Sequence, residues 1–210
     1  MLRLQPGDAL TLFDGSGPEW QAEVTAMGRN EVRVRLLASG EPGRELPRAV
    51  TLAVVMPAND RMDFIVEKAS ELGAAVLQPL MSERSVLRLS GERADKKRAH
   101  WQGVAIAAAE QSGRTVPMRV QAVQPLGAWL AALGAPAADE WRGLLSPRAS
   151  QPLQPFAARR VLFLSGPEGG LSDSEEDAAR ARGFAPVNLG PRILRADTAP
   201  LTVLSWIALS

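Results

Sequence analysis

The chain has 210 residues, 46% of them hydrophobic and 22% charged, with a net charge of +1, one histidine and no cysteine. This is the composition of an ordinary globular protein, and the missing thiols exclude disulfides, cysteine nucleophiles and thiolate metal sites. No apolar run approaches the roughly eighteen residues of a membrane span. The start also lacks a basic segment followed by an apolar one, so the cytoplasm is the expected compartment.

In chain order, residues 1–48 read as a small β unit. Ala9–Phe13 and Val32–Leu36 alternate as strands do, and Asp14-Gly15-Ser16-Gly17 between them is a turn. Three or four strands over so short a stretch bury little alone. From Val50 the texture changes. Val50–Met56 is a continuous apolar run, the pattern of a strand covered on both faces. Met62, Ile65, Val66, Ala69 and Leu72 then follow the helical period, and Gly73 closes that helix. Ala75–Leu80 reads as a strand, Glu92–Ser112 as a long helix ended by Gly113, and Val116–Val120 as a short strand. Repeated strand and helix predict a largely parallel α/β sheet.

The stretch 121–158 is rich in Ala, Pro and Gly, with a helix expected over Leu126–Leu133, a strand over Trp141–Leu145 and a loop over Ser146–Pro155. Val161–Leu164 is again a buried strand. Ser172 and Glu175 form a capping box, and Gly183 is a natural stop for the helix it begins. Val187–Leu189 is the last predicted strand. Asp197 or Thr198 is placed to cap a final helix whose residues are apolar nearly all round, so that it must be buried in the core or against another subunit.

Charge is unevenly placed. Residues 84–119 hold eight Lys and Arg against three acids, a local +5, and 51–83 total −3. The basic stretch reads equally as a nucleic-acid surface or as a solvated helix face. His100, beside Lys96, Lys97 and Arg98, reads as a solvated helix position; a zinc site around it would need mostly carboxylates, and no metal is expected.

Two glycine-containing turns follow short apolar strands near the C-terminus. The first is Leu164-Ser165-Gly166-Pro167-Glu168-Gly169-Gly170, and the second runs from Leu189-Gly190-Pro191-Arg192-Ile193-Leu194-Arg195 into Ala196-Asp197-Thr198-Ala199. Such turns gather backbone N–H groups beside helix starts, which suits a polar or anionic small molecule. No Gly-Lys-Ser/Thr follows, and the spacing is not that of a dinucleotide fingerprint. Arg192 and Arg195 beside the second turn suit a phosphate or a developing anion.

These turns, together with Lys68-Ala69-Ser70-Glu71-Leu72-Gly73, the segment from Pro79 through Glu83-Arg84-Ser85, and Glu110-Gln111-Ser112-Gly113-Arg114, resemble in content and order the bacterial 16S ribosomal RNA (uracil-N3) methyltransferases. The resemblance covers roughly residues 50–210. It implies an α/β SPOUT-type domain over 49–210 with a deep trefoil knot, preceded over 1–48 by a PUA-like β-barrel that grips RNA. Members of the family begin before the point equivalent to Met1, so the barrel is expected to be truncated. The family's Leu-Arg-x-Glu-Thr-Ala ending stands here with Asp197 in place of the glutamate.

The resemblance further implies a homodimer that binds S-adenosylmethionine and methylates 16S rRNA in the small ribosomal subunit. The implied cofactor residues are Leu164, Gly166, Pro167, Glu168, Gly169, Gly170, Leu189, Gly190, Pro191, Ile193, Leu194 and Thr198. Arg195 is the expected anion stabiliser, and Asp197 or Glu168 the proton acceptor. Lys68, Arg84, Arg88, Arg114 and Arg192 are the expected RNA contacts. The absence of cysteine disfavours methylation at pyrimidine C5, which generally needs a cysteine adduct, and leaves N3 or ribose-oxygen chemistry open. Rival readings are a knotted methyltransferase acting on a ribose 2′-hydroxyl or a guanine nitrogen, a non-catalytic RNA-binding assembly protein, and a nucleotide-binding metabolic enzyme.

Overall fold

The computed structural model describes residues 4–58 and 61–209; Asp60, one of the acids of the 51–83 stretch, lies outside them. An antiparallel sheet of β1 (Ala9–Phe13), β2 (Glu19–Met27) and β3 (Val32–Gly40) comes first. β2 was not singled out from the sequence, although Trp20, Ala22 and Val24 alternate along it. Only Ala22 and Val24 of this sheet are buried, as expected for so small a unit.

The rest of the chain builds a parallel sheet. Its elements are β4 (Ala49–Val55), α1 (Arg61–Glu71), β5 (Val76–Met81), α2 (Gly91–Ser112), β6 (Arg119–Val120), β7 (Gln124–Pro125) and α3 (Leu126–Ala132). They continue with β8 (Glu140–Leu145), β9 (Arg160–Ser165), α4 (Asp173–Ala181), β10 (Ala185–Val187) and α5 (Thr198–Ala208). The strand order is β10-β8-β9-β4-β5-β6, with β7 also paired to β5 and every pairing parallel.

β4 lies at the centre because it can be covered twice. Val50, Leu52 and Val54 join the core that holds Ile65, Trp101 and Leu204, from α1, α2 and α5. Ala53 and Val55 join the opposite core, with Leu130, Leu164 and Ala179, from α3, β9 and α4. Alternate residues of a strand point to opposite faces, so a strand buried on both must be apolar throughout. α5 buries Val203, Leu204 and Ile207 in the core of its own chain, the first of its two expected destinations.

Two local expectations need correction. The last strand is Ala185–Val187, not Val187–Leu189. Asn188 keeps one bridge to Pro152, its amide donates to the Ala149 carbonyl at 2.9 Å, and its side-chain oxygen accepts from Gly190 N at 3.1 Å, which turns the chain away. Asp197 stands at the start of α5 but with helical dihedrals (φ −81°, ψ −30°) and no side-chain capping bond, so it does not act as the extended cap that such residues provide.

Candidate active site

Between β4 and its neighbour β9 the sheet changes direction of growth, and in open α/β sheets the crevice beyond such strand ends is where ligands bind. On the β9 side of this point, the loops beyond β8 and β9 and the segment leading into α5 surround a cavity of about 530 Å³, within the size range of small-molecule sites.

Its first wall is the turn after β9. Gly170 has φ +67°, a left-handed conformation that costs a glycine little, and its N–H donates to the Pro167 carbonyl at 2.9 Å. α4 follows at once and is fixed by the anticipated capping box: Glu175 N donates to Ser172 Oγ at 3.3 Å, and Ser172 N to Glu175 Oε2 at 2.9 Å. The loop after β5 is docked on this wall. Glu83 N donates to Glu175 Oε1 at 2.8 Å, and Arg84 Nη1 donates to the carbonyls of Gly169 at 2.8 Å and Leu171 at 3.3 Å.

The second wall is the segment leading into α5 together with its first turn, where Ile193, Leu194, Arg195, Ala196 and Ala199 line the cavity. The third comes from the end of β8. There Ser146 Oγ donates to Glu176 Oε1 at 3.1 Å, and Arg148 binds Glu176 at 2.8 Å and Asp173 at 2.7 Å. Glu176 is buried and also takes Arg180 at 2.8 Å, so its charge is compensated where it meets the cavity. Hydrogen bonds donated to Glu176 first and Asp173 second push the Arg148 guanidinium further up from its already high value.

Among the implied cofactor residues, Gly166, Pro167, Glu168, Gly169, Gly170, Ile193 and Leu194 share the main cavity. Leu189 and Gly190 line a small adjoining space of about 50 Å³ with Arg192, and the two spaces share Ser146 and Leu194. Leu164 is packed in the core beneath. Pro191 and Thr198 are exposed and outside both linings. Thr198 Oγ1 instead donates to Asp197 Oδ1 at 3.2 Å.

Of the acid-base candidates, Arg195 and Glu168 line the cavity. Asp197 lies outside the lining, with Oδ2 3.9 Å from Arg61 Nη1; the same nitrogen is 3.6 Å from Glu168 Oε1.

The expected RNA contacts are scattered. Arg84 holds the glycine turn from inside the cavity. Arg88 donates to the Glu83 carbonyl at 3.0 Å, and Lys68 is 2.7 Å from both Glu67 and Glu71 on α1. Arg114 departs from the expectation. It is only 3% exposed, and its guanidinium donates to Glu45 and to the carbonyls of Ser70 and Ala74. A residue so enclosed is a structural tie and presents nothing to RNA. Sequence reasoning missed Arg61, Ser146, Arg148 and Glu176. Ser146 and Arg148 lie in the expected loop over Ser146–Pro155 and Glu176 in the first turn of the helix that Ser172 caps, and only their meeting in space marks them. Among the described residues no cluster of His, Asp and Glu could hold a metal, and no helix is long and apolar enough to cross a membrane.

A parallel α/β domain with a strand-end cavity behind two glycine turns, preceded by a small antiparallel sheet, has the build of an RNA-modifying transferase. The family model described as an RNA methyltransferase domain matches residues 44–208, and that described as an RNA methyltransferase PUA domain matches 2–37. The chain belongs to the ribosomal RNA small subunit methyltransferase E family. It is 36% identical to the member from Synechocystis sp. over 99% of this chain and 68% of that one. The Bacillus subtilis member is 31% identical over 99% of this chain and 84% of its own. The structure of the Neisseria gonorrhoeae member bound to S-adenosyl methionine superposes with a TM-score of 0.90 at 32% identity, covering 99% of this chain and 85% of that one. A protein from Legionella pneumophila, solved in complex with the same cofactor, gives 0.89 at 32%, with the same coverage.

Proposed function

We propose that this chain transfers the methyl group of S-adenosylmethionine to N3 of a uridine in 16S rRNA, acting as a cytoplasmic homodimer on the small ribosomal subunit. The observation that carries the reading is the convergence of the Gly166–Gly170 turn and the 193–199 segment on one cavity of about 530 Å³. The walls suit this cofactor. Leu145, Leu171, Ile193 and Leu194 offer apolar surface, and the turns offer backbone polar groups. Gly166 keeps the turn tight, since a Cβ there would lie 3.2 Å from Leu171 N.

Bound at these turns, the cofactor supplies an electrophilic methyl group. The chain's own residues must orient the base and manage its proton. The uracil N3–H proton passes to the carboxylate of Glu168 or of Asp197, and Arg195 stabilises the imide anion left behind. Arg192, beside the adjoining space, is placed to take a phosphate.

Residues 1–48 are assigned to RNA gripping and 49–210 to catalysis. The trefoil knot belongs to the same proposal. It is supported by the pairing of Gln151 and Leu153 with Asn188 and by the contact of Phe156 with Trp206 (5.7 Å), which bring the C-terminal segment against the 146–159 loop.

The test is calorimetry with S-adenosylmethionine on this chain and on Gly169→Val. A Cβ at Gly169 meets nothing nearer than Arg84 Cδ at 3.6 Å, so the fold should tolerate the change while the cavity is obstructed. Binding by the unaltered chain and its loss in the variant are expected, followed by 3-methyluridine on nucleoside analysis of treated RNA. A folded chain that binds no cofactor would overturn the reading, and a methylated ribose would move it to the 2′-hydroxyl.

A further inference from the structure

Arg61, the first residue of α1, stands where three distant segments meet. Its Nη1 faces Glu168 Oε1 at 3.6 Å and Asp197 Oδ2 at 3.9 Å. Glu168 also accepts from the backbone N–H of Ala58, at 3.2 Å to Oε1 and 3.4 Å to Oε2. The loop leaving β4, the glycine turn after β9 and the start of α5 are therefore joined through one cation and two carboxylates. These two carboxylates are the alternative proton acceptors of the proposed reaction.

All three side chains keep some solvent contact, with exposures of 34% for Arg61, 38% for Glu168 and 18% for Asp197. Ion pairs this exposed add little to stability. They do set where charged groups rest, and the placement of a reacting group by a fraction of an ångström has large effects on rate.

We propose that Arg61 is a positioning residue for methyl transfer, which holds Glu168 and Asp197 in one arrangement at the cavity rim so that turnover, rather than cofactor affinity, depends on it. This rests on the methyltransferase reading above. Arg61 does not itself line the cavity; it acts through the carboxylates, of which Glu168 does.

Two variants of the full chain, Arg61→Gln and Arg61→Lys, test this with two readouts. The first needs no activity. Hydrogen exchange at the Ala58 amide reports whether the Glu168 carboxylate is in place. Arg61→Gln should speed it on the order of tenfold while the Val54 amide inside β4 is unchanged, and Arg61→Lys should fall close to the parent.

The second readout separates binding from turnover. Arg61→Gln should lower kcat by on the order of tenfold or more and leave the calorimetric Kd for S-adenosylmethionine nearly constant, with most activity restored in Arg61→Lys. Unchanged Ala58 exchange in Arg61→Gln, or lost cofactor affinity with kcat preserved, would overturn the proposal alone. A parent chain that methylates no RNA would overturn the reading beneath it as well.

Discussion

Arg114, two residues past the end of α2, sets its Nε 3.1 Å from Glu45 Oε2, in the segment that joins the small sheet to the parallel one. The same guanidinium donates through Nη1 to the carbonyls of Ser70 at 2.6 Å and Ala74 at 3.0 Å. One side chain thus holds the end of α1, the turn into β5 and the linker from β3 together. Gly113, at φ +75°, ends α2 in a left-handed cap and aims the chain for this contact.

Arg114→Ala should accordingly act on stability. It strands a partly buried carboxylate and two carbonyls, a loss of about 3 kcal/mol. Urea unfolding measures it. Cofactor affinity of the folded variant should match the parent, because no atom of Arg114 lines the cavity.

Arg84→Ala should act on the cofactor. Its two bonds to the glycine turn fix the carbonyls of Gly169 and Leu171. Losing a charge-assisted bond of about 1.5 kcal/mol corresponds to roughly tenfold weaker binding of S-adenosylmethionine. Calorimetry decides, and an unchanged Kd would show that the turn holds its shape unaided.

Gly143→Ala probes the aromatic anchor of the 146–159 loop. A Cβ at this β8 position would lie 2.6 Å from Trp141 ring carbons and 2.8 Å from Phe163 Cε1. Trp141 is stacked on Phe156 at 4.7 Å and is 5.3 Å from Phe163, so the rings have nowhere to move. Overpacking of this kind costs about 1–3 kcal/mol, and a lowered Tm with altered tryptophan fluorescence is expected.

The junction of α1 and α2 predicts a pH dependence. Asp63 receives Trp101 Nε1 at 2.9 Å and lies 2.6 Å from His100 Nε2. Burial pushes its carboxyl up, but the hydrogen bonds from His100 and Trp101, with the charges of His100 and Lys97, outweigh that and hold it below the usual 3.8. A depressed folded value means that the stabilisation is complete above the unfolded value and is lost as pH falls through the folded one. Asp63→Asn should therefore lower the urea midpoint near neutral pH, and the difference should shrink as the pH falls below the ordinary carboxylate range.

Much of the parallel sheet was legible because its signals are local. The apolar run at Val50, the helical period from Met62 and the Ser172–Glu175 box each specify their own element. Arg114 was not legible, since an arginine after Gly113 has the same sequence appearance whether it faces solvent or Glu45, 69 residues away. Arg61 was hidden for the same reason, its partners lying beyond residue 165. His100 looked like a bare helix position because Asp63 sits on another helix. Asp197 has the composition of a helix cap, but its helical dihedrals leave its carboxylate free to face Arg61.

The central position of β4 has a kinetic consequence. On one side β4 pairs with β5, which follows closely, but on the other Ala49 lies opposite Arg160 and Val54 opposite Ser165. During synthesis the apolar edge of β4 must wait for more than half the chain to emerge before β9 covers it. Pairings so distant in sequence slow folding, and an uncovered strand edge is a template for association. Chains cut short before residue 160 should therefore be the sticky ones, captured by chaperones or lost to aggregates, even though they carry complete α1 and α2.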